Sequence, residues 1–489
     1  MSLTLLRASV IPFLLTACSP LSLDQQAYPV AESARPAFPD DAALQRMLAD
    51  RMRANGVGEV VGLIDASGTR VISYGHAGDN GSRPLDGDTI FQIGSVTKGL
   101  TTLLLADMVH RGEVSLDQPV QELLPPGVVL HKVGRPITLR DLATHRSGLP
   151  AMPDNFDLSA KPDPYESYTV DQLYAFLSHF VPEHAPGTEA RYSNLGVSLL
   201  GRVLARRAGT DYATLLKKRI LDPLAMSSSA ITPEPGWQNR IAQGHDRYLR
   251  PVRTWEMRVM PASGSLRSTA NDMLKLVAAY IGERDTSLKP AMDLQLGERI
   301  ATRRGWQALG WGIRADGIVT HSGGKQGYRS AVAFDPVAKR GVVVLANART
   351  YDEPMALALH LLAAEPIEPA PAAPPQLPII HPETDLLDRY AGWYCLDSGE
   401  PIEVARKNFH LLVHTPGAGI SEFFATAPNA FFLDTGNDEL AFRVAGSQPA
   451  EGIMHYPDGA AKPPVPGVRV QGRDAALACR KNAVARLLP

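Results

Sequence analysis

The stretch Phe91-Gln92-Ile93-Gly94-Ser95-Val96-Thr97-Lys98 runs directly into residues 99–108, where Leu100, Leu103, Leu104 and Met108 recur at helical spacing. That spacing predicts a core-facing helix with Ser95 and Lys98 in its first turn. A Ser and a Lys three apart on a helix point the same way, so the Lys98 amine reaches the Ser95 hydroxyl, and the helix N-terminus favours negative charge formed there. A neighbour of that kind activates an otherwise weak nucleophile. The four-residue pattern also fits a Ser cap followed by a solvated Lys, because two of the twelve Lys, Lys98 and Lys325, have Ser three places before them.

Outward from this stretch, residues 42–53 have helical spacing, and the apolar runs 59–64 and 70–74, separated by Asp65-Ala66-Ser67-Gly68-Thr69, read as a β-hairpin. Helical periodicity dominates residues 115–304, in segments 139–144, 170–180, 195–207, 212–220 and 270–282. Strands return at 311–313, 318–321, 330–334 and 341–345. Strands at both ends with helices between them predict an α/β (α+β) fold over 41–364: one antiparallel sheet flanked by helices, with an all-α region inserted. A helix at 353–362 precedes residues 365–382, where seven Pro in eighteen positions exclude helix and sheet and mark a linker. Beyond it, short runs at 390–394, 402–405, 410–414, 430–433 and 440–444 alternate with turn residues, and 383–489 reads as a small antiparallel β-domain, a barrel.

With 489 residues and 44% hydrophobic residues the chain has material for two or three buried cores. Its net charge of −2, without a long basic run, gives no reason to expect nucleic acid as a partner. Residues 1–7 carry one basic side chain, 8–15 are mostly apolar, and Leu15-Thr16-Ala17-Cys18 ends in small residues before a Cys. This resembles a bacterial lipoprotein signal peptide (1–17). The resemblance implies cleavage before Cys18, lipidation of its thiol, and a periplasmic protein held on the membrane, the outer one given Ser19. An ordinary secretory signal with an incidental Cys is the other reading. The apolar run is short of the ~20 residues a spanning helix needs. Residues 18–40, rich in Pro, Ala and Ser, read as a flexible tether. Cys395 and Cys479 remain as one possible disulfide pair in an oxidising space.

Two further motifs carry chemistry. In Tyr192-Ser193-Asn194 a Tyr at the edge of a turn acts as a general base if nearby cations hold it as phenolate, and Asn offers a donor and an acceptor to a substrate amide. The alternative makes Asn194 a helix cap and Tyr192 a packing residue. In His321-Ser322-Gly323-Gly324 two Gly at a strand end let a substrate backbone approach, with the Gly324 N–H aimed at an oxyanion; a tight turn is the alternative. Ser322-Gly323-Gly324-Lys325 repeats the Ser-x-x-Lys pattern, but its two Gly and the lack of an apolar helix after it make it a poor nucleophile site. No H-E-x-x-H, H-x-H-x-D or apt G-x-S-x-G pattern occurs, so no metal is expected and an ordinary α/β-hydrolase is disfavoured.

In order, Ser95-Val96-Thr97-Lys98, Tyr192-Ser193-Asn194 and His321-Ser322-Gly323 resemble the three motifs of the penicillin-recognising serine hydrolases: class C beta-lactamases, DD-carboxypeptidases, D-aminopeptidases and related esterases. Leu142-Ala143-Thr144-His145-Arg146-Ser147-Gly148-Leu149-Pro150, the run 261–269 and Leu309-Gly310-Trp311-Gly312 also look familial. The resemblance implies a serine beta-lactamase/transpeptidase-like fold that needs no cofactor. Ser95 would be the acylated nucleophile, Lys98 its activator and Tyr192 the general base and acid. Asn194, His321, Ser322, Gly323 and Gly324 would bind substrate, with the Ser95 and Gly324 N–H groups as oxyanion hole. Arg314 stands where a carboxypeptidase-like relative has a substrate-carboxylate Arg, or is a surface strand residue. The family commonly has Lys where this chain has His321, which at an ordinary pKa of ~6.5 is charged only part of the time at neutral pH. That departure favours D-amino-acid peptides, amides or esters over beta-lactams. A sensor that captures cell-wall fragments without turnover is the rival, and the β-domain resembles the lipocalin-like appendages of this superfamily.

Overall fold

A computed structural model describes residues 35–78, 83–160, 163–254, 256–349, 353–367, 378–433, 436–457 and 462–487. The signal sequence, Cys18, the tether to residue 34 and linker positions 368–377 lie outside these.

Strands from both ends of the first domain meet in one antiparallel sheet, as the sequence pattern implies. The chain forms α1 (Asp41–Asn55), then the hairpin β1 (Gly58–Asp65) and β2 (Gly68–Gly75), then β3 (Phe91–Gln92), which pairs with the later β4 (Arg267–Ser268). Eight helices follow β3: α2 (Thr97–His110), α3 (Leu139–Ala143), α4 (Pro164–Ser167), α5 (Val170–His179), α6 (Asn194–Arg207), α7 (Tyr212–Leu216), α8 (Ala270–Tyr280) and α9 (Lys289–Gly297). The sheet is completed by β5 (Ile300–Thr302), β6 (Gly305–Gln307), β7 (Gly312–Arg314), β8 (Val319–Lys325), β9 (Tyr328–Asp335) and β10 (Arg340–Ala346), in the order β2-β1-β10-β9-β8-β7-β6-β5. Both of its faces are covered. Val60, Val332, Phe334, Val343 and Leu345 pack towards α2 and α8, while Val61, Leu63, Ala331, Val342 and Val344 pack under α1 and α10 (Pro354–Ala363). A strand buried on both sides has no polar alternation, which accounts for the run Val342-Val343-Val344.

The last six residues assigned to the tether are not free: Arg35 donates to Asp335 at 2.8 Å and Phe38 lies 3.8 Å under the Arg340 guanidinium. After the linker comes α11 (Thr384–Tyr390), then β11 (Gly392–Leu396), β12 (Pro401–Lys407), β13 (His410–Thr415), β14 (Gly419–Ala427), β15 (Ala430–Leu433), β16 (Glu439–Arg443), β17 (Gly452–Tyr456) and β18 (Val465–Val470). β11 pairs with both β12 and β18, closing an eight-stranded barrel. Cys395 of β11 is bonded to Cys479 of α12 (Gly472–Leu487), which fixes that helix to the barrel. The barrel docks on the helical region: Leu412 and Ile420 join the first domain's core, Met152 N–H donates to the Gly417 carbonyl at 3.0 Å, and Lys407 pairs with the buried Asp163 at 2.9 Å.

Candidate active site

Residues 97–108 of α2 are buried on every side, so its polar groups need internal partners. Thr101 donates to the Ala262 carbonyl at 2.7 Å and Thr102 to the Leu309 carbonyl at 2.9 Å, which locks the 261–266 loop and the 308–311 turn onto the helix. Ser95 lies in the 3-10 turn Gly94–Val96 just before α2 rather than in the α-helix itself. Gly94 has φ 51°, and a Cβ there would sit 2.7 Å from the Gly324 nitrogen. A Cβ on Gly323 would collide with the Ile93 carbonyl. Glycine at both positions lets β8 lie directly against the turn that carries Ser95, which brings the Gly324 backbone beside it.

Three side chains converge on Ser95. Lys98 Nζ is 3.0 Å from Ser95 Oγ, 2.7 Å from Asn194 Oδ1 and 2.6 Å from the Ser263 carbonyl oxygen. Burial, reinforced by the charge of Lys325, pushes the Lys98 amine well below its ordinary pKa. In its neutral form the amine has two N–H groups, which the Asn194 and Ser263 oxygens can take, leaving its lone pair towards the Ser95 hydroxyl. Tyr192 donates to Ser95 Oγ at 2.6 Å. Although about half of Tyr192 is exposed (49%), the partial burial of its ring raises the phenol, partly opposed by that hydrogen bond, so it is protonated at neutral pH and a cation-held phenolate is not the resting form. Ser193, not Asn194, caps α6, accepting from Gly196 N–H at 2.8 Å, and this leaves the Asn194 side chain to Lys98.

His145, within the stretch Leu142-Ala143-Thr144-His145-Arg146-Ser147-Gly148-Leu149-Pro150, is a further residue of the site. It stands at φ 59° after α3, accepts the Ser193 N–H on Nδ1 at 3.2 Å, and places its ring 4.5 Å from that of Tyr192. Burial, with Lys98 and His321 nearby, pushes it down to about 3. The His321 Nδ1–H donates to the Ser322 carbonyl at 2.7 Å, and burial beside Lys98 pushes its imidazole down to about 4. It is therefore neutral at pH 7, not partly charged. Ser322 alternates to the opposite face of β8 and is exposed.

Arg314 is not brought to the site. Its backbone pairs with Ile318, whose side chain belongs to the core under α1 and α10, and its guanidinium is held by Asp316 at 3.2 Å and by Glu365. Strand parity turns it away from Ser95, and two carboxylates already satisfy it. A cavity of about 310 Å³ opens beside Tyr192, walled by Leu149 and Arg191 on one side and by Glu400, Pro416 and Gly417 of the barrel on the other. Among the described residues no group of three His, Cys, Asp or Glu is placed to hold a metal ion.

A family model, Beta-lactamase, matches residues 44–365. The chain is 28% identical over 311 residues to the D-alanyl-D-alanine-carboxypeptidase/endopeptidase AmpH of Escherichia coli (strain K12), covering 60% of this chain and 79% of that protein. It is 26% identical over 324 residues to a beta-lactamase of the same organism, covering 58% and 81%. Among solved structures, a class C beta lactamase from Rhodobacter sphaeroides superposes with a TM-score of 0.55 at 27% identity, covering 64% of this chain and 94% of the other. The sheet, the helical region and the match across most of the first domain agree: the chain belongs to the beta-lactamase family and is a serine hydrolase.

Proposed function

We propose that the protein cleaves D-amino-acid peptides of the cell wall, or related amides and esters, through an acyl-enzyme on Ser95. The observation that carries this is Ser95 Oγ, 3.0 Å from the Lys98 amine and 2.6 Å from the Tyr192 hydroxyl. Lys98, whose amine burial pushes well below its ordinary pKa, accepts the Ser95 proton from its neutral form as Oγ attacks the substrate carbonyl. The Ser95 and Gly324 N–H groups face the oxyanion. Tyr192 donates its proton to the departing amine and recovers one from Lys98, and water then hydrolyses the ester by the reverse relay. Asn194 fixes Lys98 and keeps its Nδ2 for the substrate amide. His145 holds the Tyr192 ring.

The neutral His321 supplies no cation where beta-lactam-directed relatives commonly have Lys, which supports the preference for peptides and esters. Lipidation of Cys18 would place this chemistry at the periplasmic face of the outer membrane, where such peptides occur. The test is turnover of a D-Ala-D-Ala peptide, a short-chain aryl ester and a penicillin. Peptide or ester turnover should exceed that of penicillin. Faster penicillin turnover would make the protein a beta-lactamase, and a stable adduct without turnover of any of them would make it a sensor.

A further inference from the structure

Lys325 is a charged group near the site to which the proposed reaction gives no substrate contact, only an effect of its charge on Lys98. It ends β8, in which Val319, His321, Gly323 and Lys325 face the side of the sheet that carries Ser95: Val319 and the His321 partner Val332 belong to the core around α2, and Gly323 abuts Ile93. The side chain is only 9% exposed, and among the described residues its ammonium makes no hydrogen bond or ion pair. The charges that act on it are Glu256, Asp163 and Arg267. Both carboxylates are committed elsewhere, Glu256 to Arg267 and Asp163 to Lys407. An ammonium on a mostly buried side chain, with the two carboxylates that act on it already paired to Arg267 and Lys407, is only partly compensated, and a ligand carboxylate would complete that compensation.

The strand also fixes which end of a substrate would meet it. His321 lies on the side of Tyr192, because His145 packs against the Tyr192 ring and is near enough to His321 for protonation of either imidazole to disfavour that of the other. Gly324 lies between His321 and Lys325, and at ~3.3 Å per residue along a strand the two side chains diverge from the oxyanion position. The leaving group departs on the Tyr192 side, so the acyl portion runs towards Lys325. We infer that Lys325 is an anion-binding residue of the substrate cleft that holds a carboxylate on the acyl portion, in the residue preceding the scissile D-amino acid. This rests on the acyl-enzyme reading of Ser95. Burial lowers the Lys325 amine to about 8, which leaves it mostly protonated at neutral pH.

The test is made in the Ser95→Ala protein, so that binding is read without turnover, by titration calorimetry with N-acetyl-L-glutamyl-D-alanyl-D-alanine and its L-glutaminyl counterpart. The acidic peptide should bind about 10- to 100-fold more tightly, the range of a charge-assisted hydrogen bond. Adding Lys325→Met should abolish that advantage while leaving the Kd of the glutaminyl peptide unchanged, which also reports an intact fold. Lys325→Arg should restore most of it, and Lys325→Gln serves if the Met variant fails to fold. Equal binding of the two peptides by the parent, or a preference that survives Lys325→Met, overturns the inference. Failure of the acyl-enzyme reading would show separately, as wild-type turnover of the glutaminyl peptide that persists without Ser95.

Discussion

Replacing Tyr192 by Phe removes one hydroxyl and keeps the ring. The lost contact is the 2.6 Å hydrogen bond to Ser95 Oγ, while the 4.5 Å contact with His145 and the 4.7 Å approach of Lys98 Nζ to the ring remain. Stability should therefore fall by no more than the ~1 kcal/mol of one hydrogen bond. Loss of a positioned proton donor should lower turnover of a D-Ala-D-Ala peptide by ~10²–10⁴, or about 3–5 kcal/mol of barrier. The size of the loss should depend on the leaving group. A departing amine must be protonated, whereas an aryl oxide leaves as the anion, so an activated aryl ester should lose at least ~10-fold less than the peptide. The assay is kcat and KM for both substrates, with urea midpoints for wild type and variant. Unchanged peptide turnover would return Tyr192 to a packing role, and equal losses for both substrates would refute its part in protonating the leaving group.

His145 and His321 make stability depend on pH. Folding depresses their pKa values from 6.5 to about 3 and about 4, so the unfolded chain binds more protons between those values and 6.5. Stability is full above pH 6.5 and is lost as pH falls towards 4 and then 3, at up to ~1.4 kcal/mol per pH unit for each imidazole. Urea unfolding at pH 7 and pH 5 should show it, and a His145→Gln variant with the wild-type difference between the two would contradict it. Removing the Cys395–Cys479 link, which spans 84 residues, should destabilise the barrel by up to ~4.5 kcal/mol in the chain-entropy model; an unchanged urea midpoint in the doubly Ser-substituted protein would remove that expectation. Cys18→Ala should move the protein out of the membrane fraction, and a wild type found wholly in the soluble fraction would count against lipidation.

The parts of the site legible in the sequence were those where spacing and chemistry coincide. Ser95 and Lys98 sit one turn apart where a 3-10 turn leads into an apolar helix, so the 3.0 Å contact between them is close to what helical periodicity predicts. His145 was not legible as a support for Tyr192, because its role depends on a left-handed backbone and a contact across 47 positions. In the sequence Lys325 stands only as the end of a second Ser-x-x-Lys with two Gly inside it, a poor nucleophile site. The role inferred for it depends on strand parity and on the lack of a hydrogen-bond or ion-pair partner among the described residues, neither of which a four-residue pattern contains. Of the two readings of Arg314, parity favours the surface strand residue, since it places the side chain on the other face of the sheet with Asp316 and Glu365. In the barrel the five apolar runs were found, but β14, β17 and β18 were missed. The register shift between Ala425 and Ala427 in β14 and the short, half-buried β17 and β18 blur the two-residue period that marks a strand. The helix α12 was missed as well, because its apolar residues gather on no single stripe and its place is set by the disulfide.

The most direct test of the central claim is the mass of the peptide containing Ser95 after brief incubation with a D-Ala-D-Ala peptide or an aryl ester and rapid acid quench. The account predicts an acyl mass on Ser95 that appears within the turnover time, decays when substrate is exhausted, and is absent from the Ser95→Ala protein. Turnover without any adduct, or an acyl group on Ser322 or another residue that persists in the Ser95→Ala protein, would contradict it.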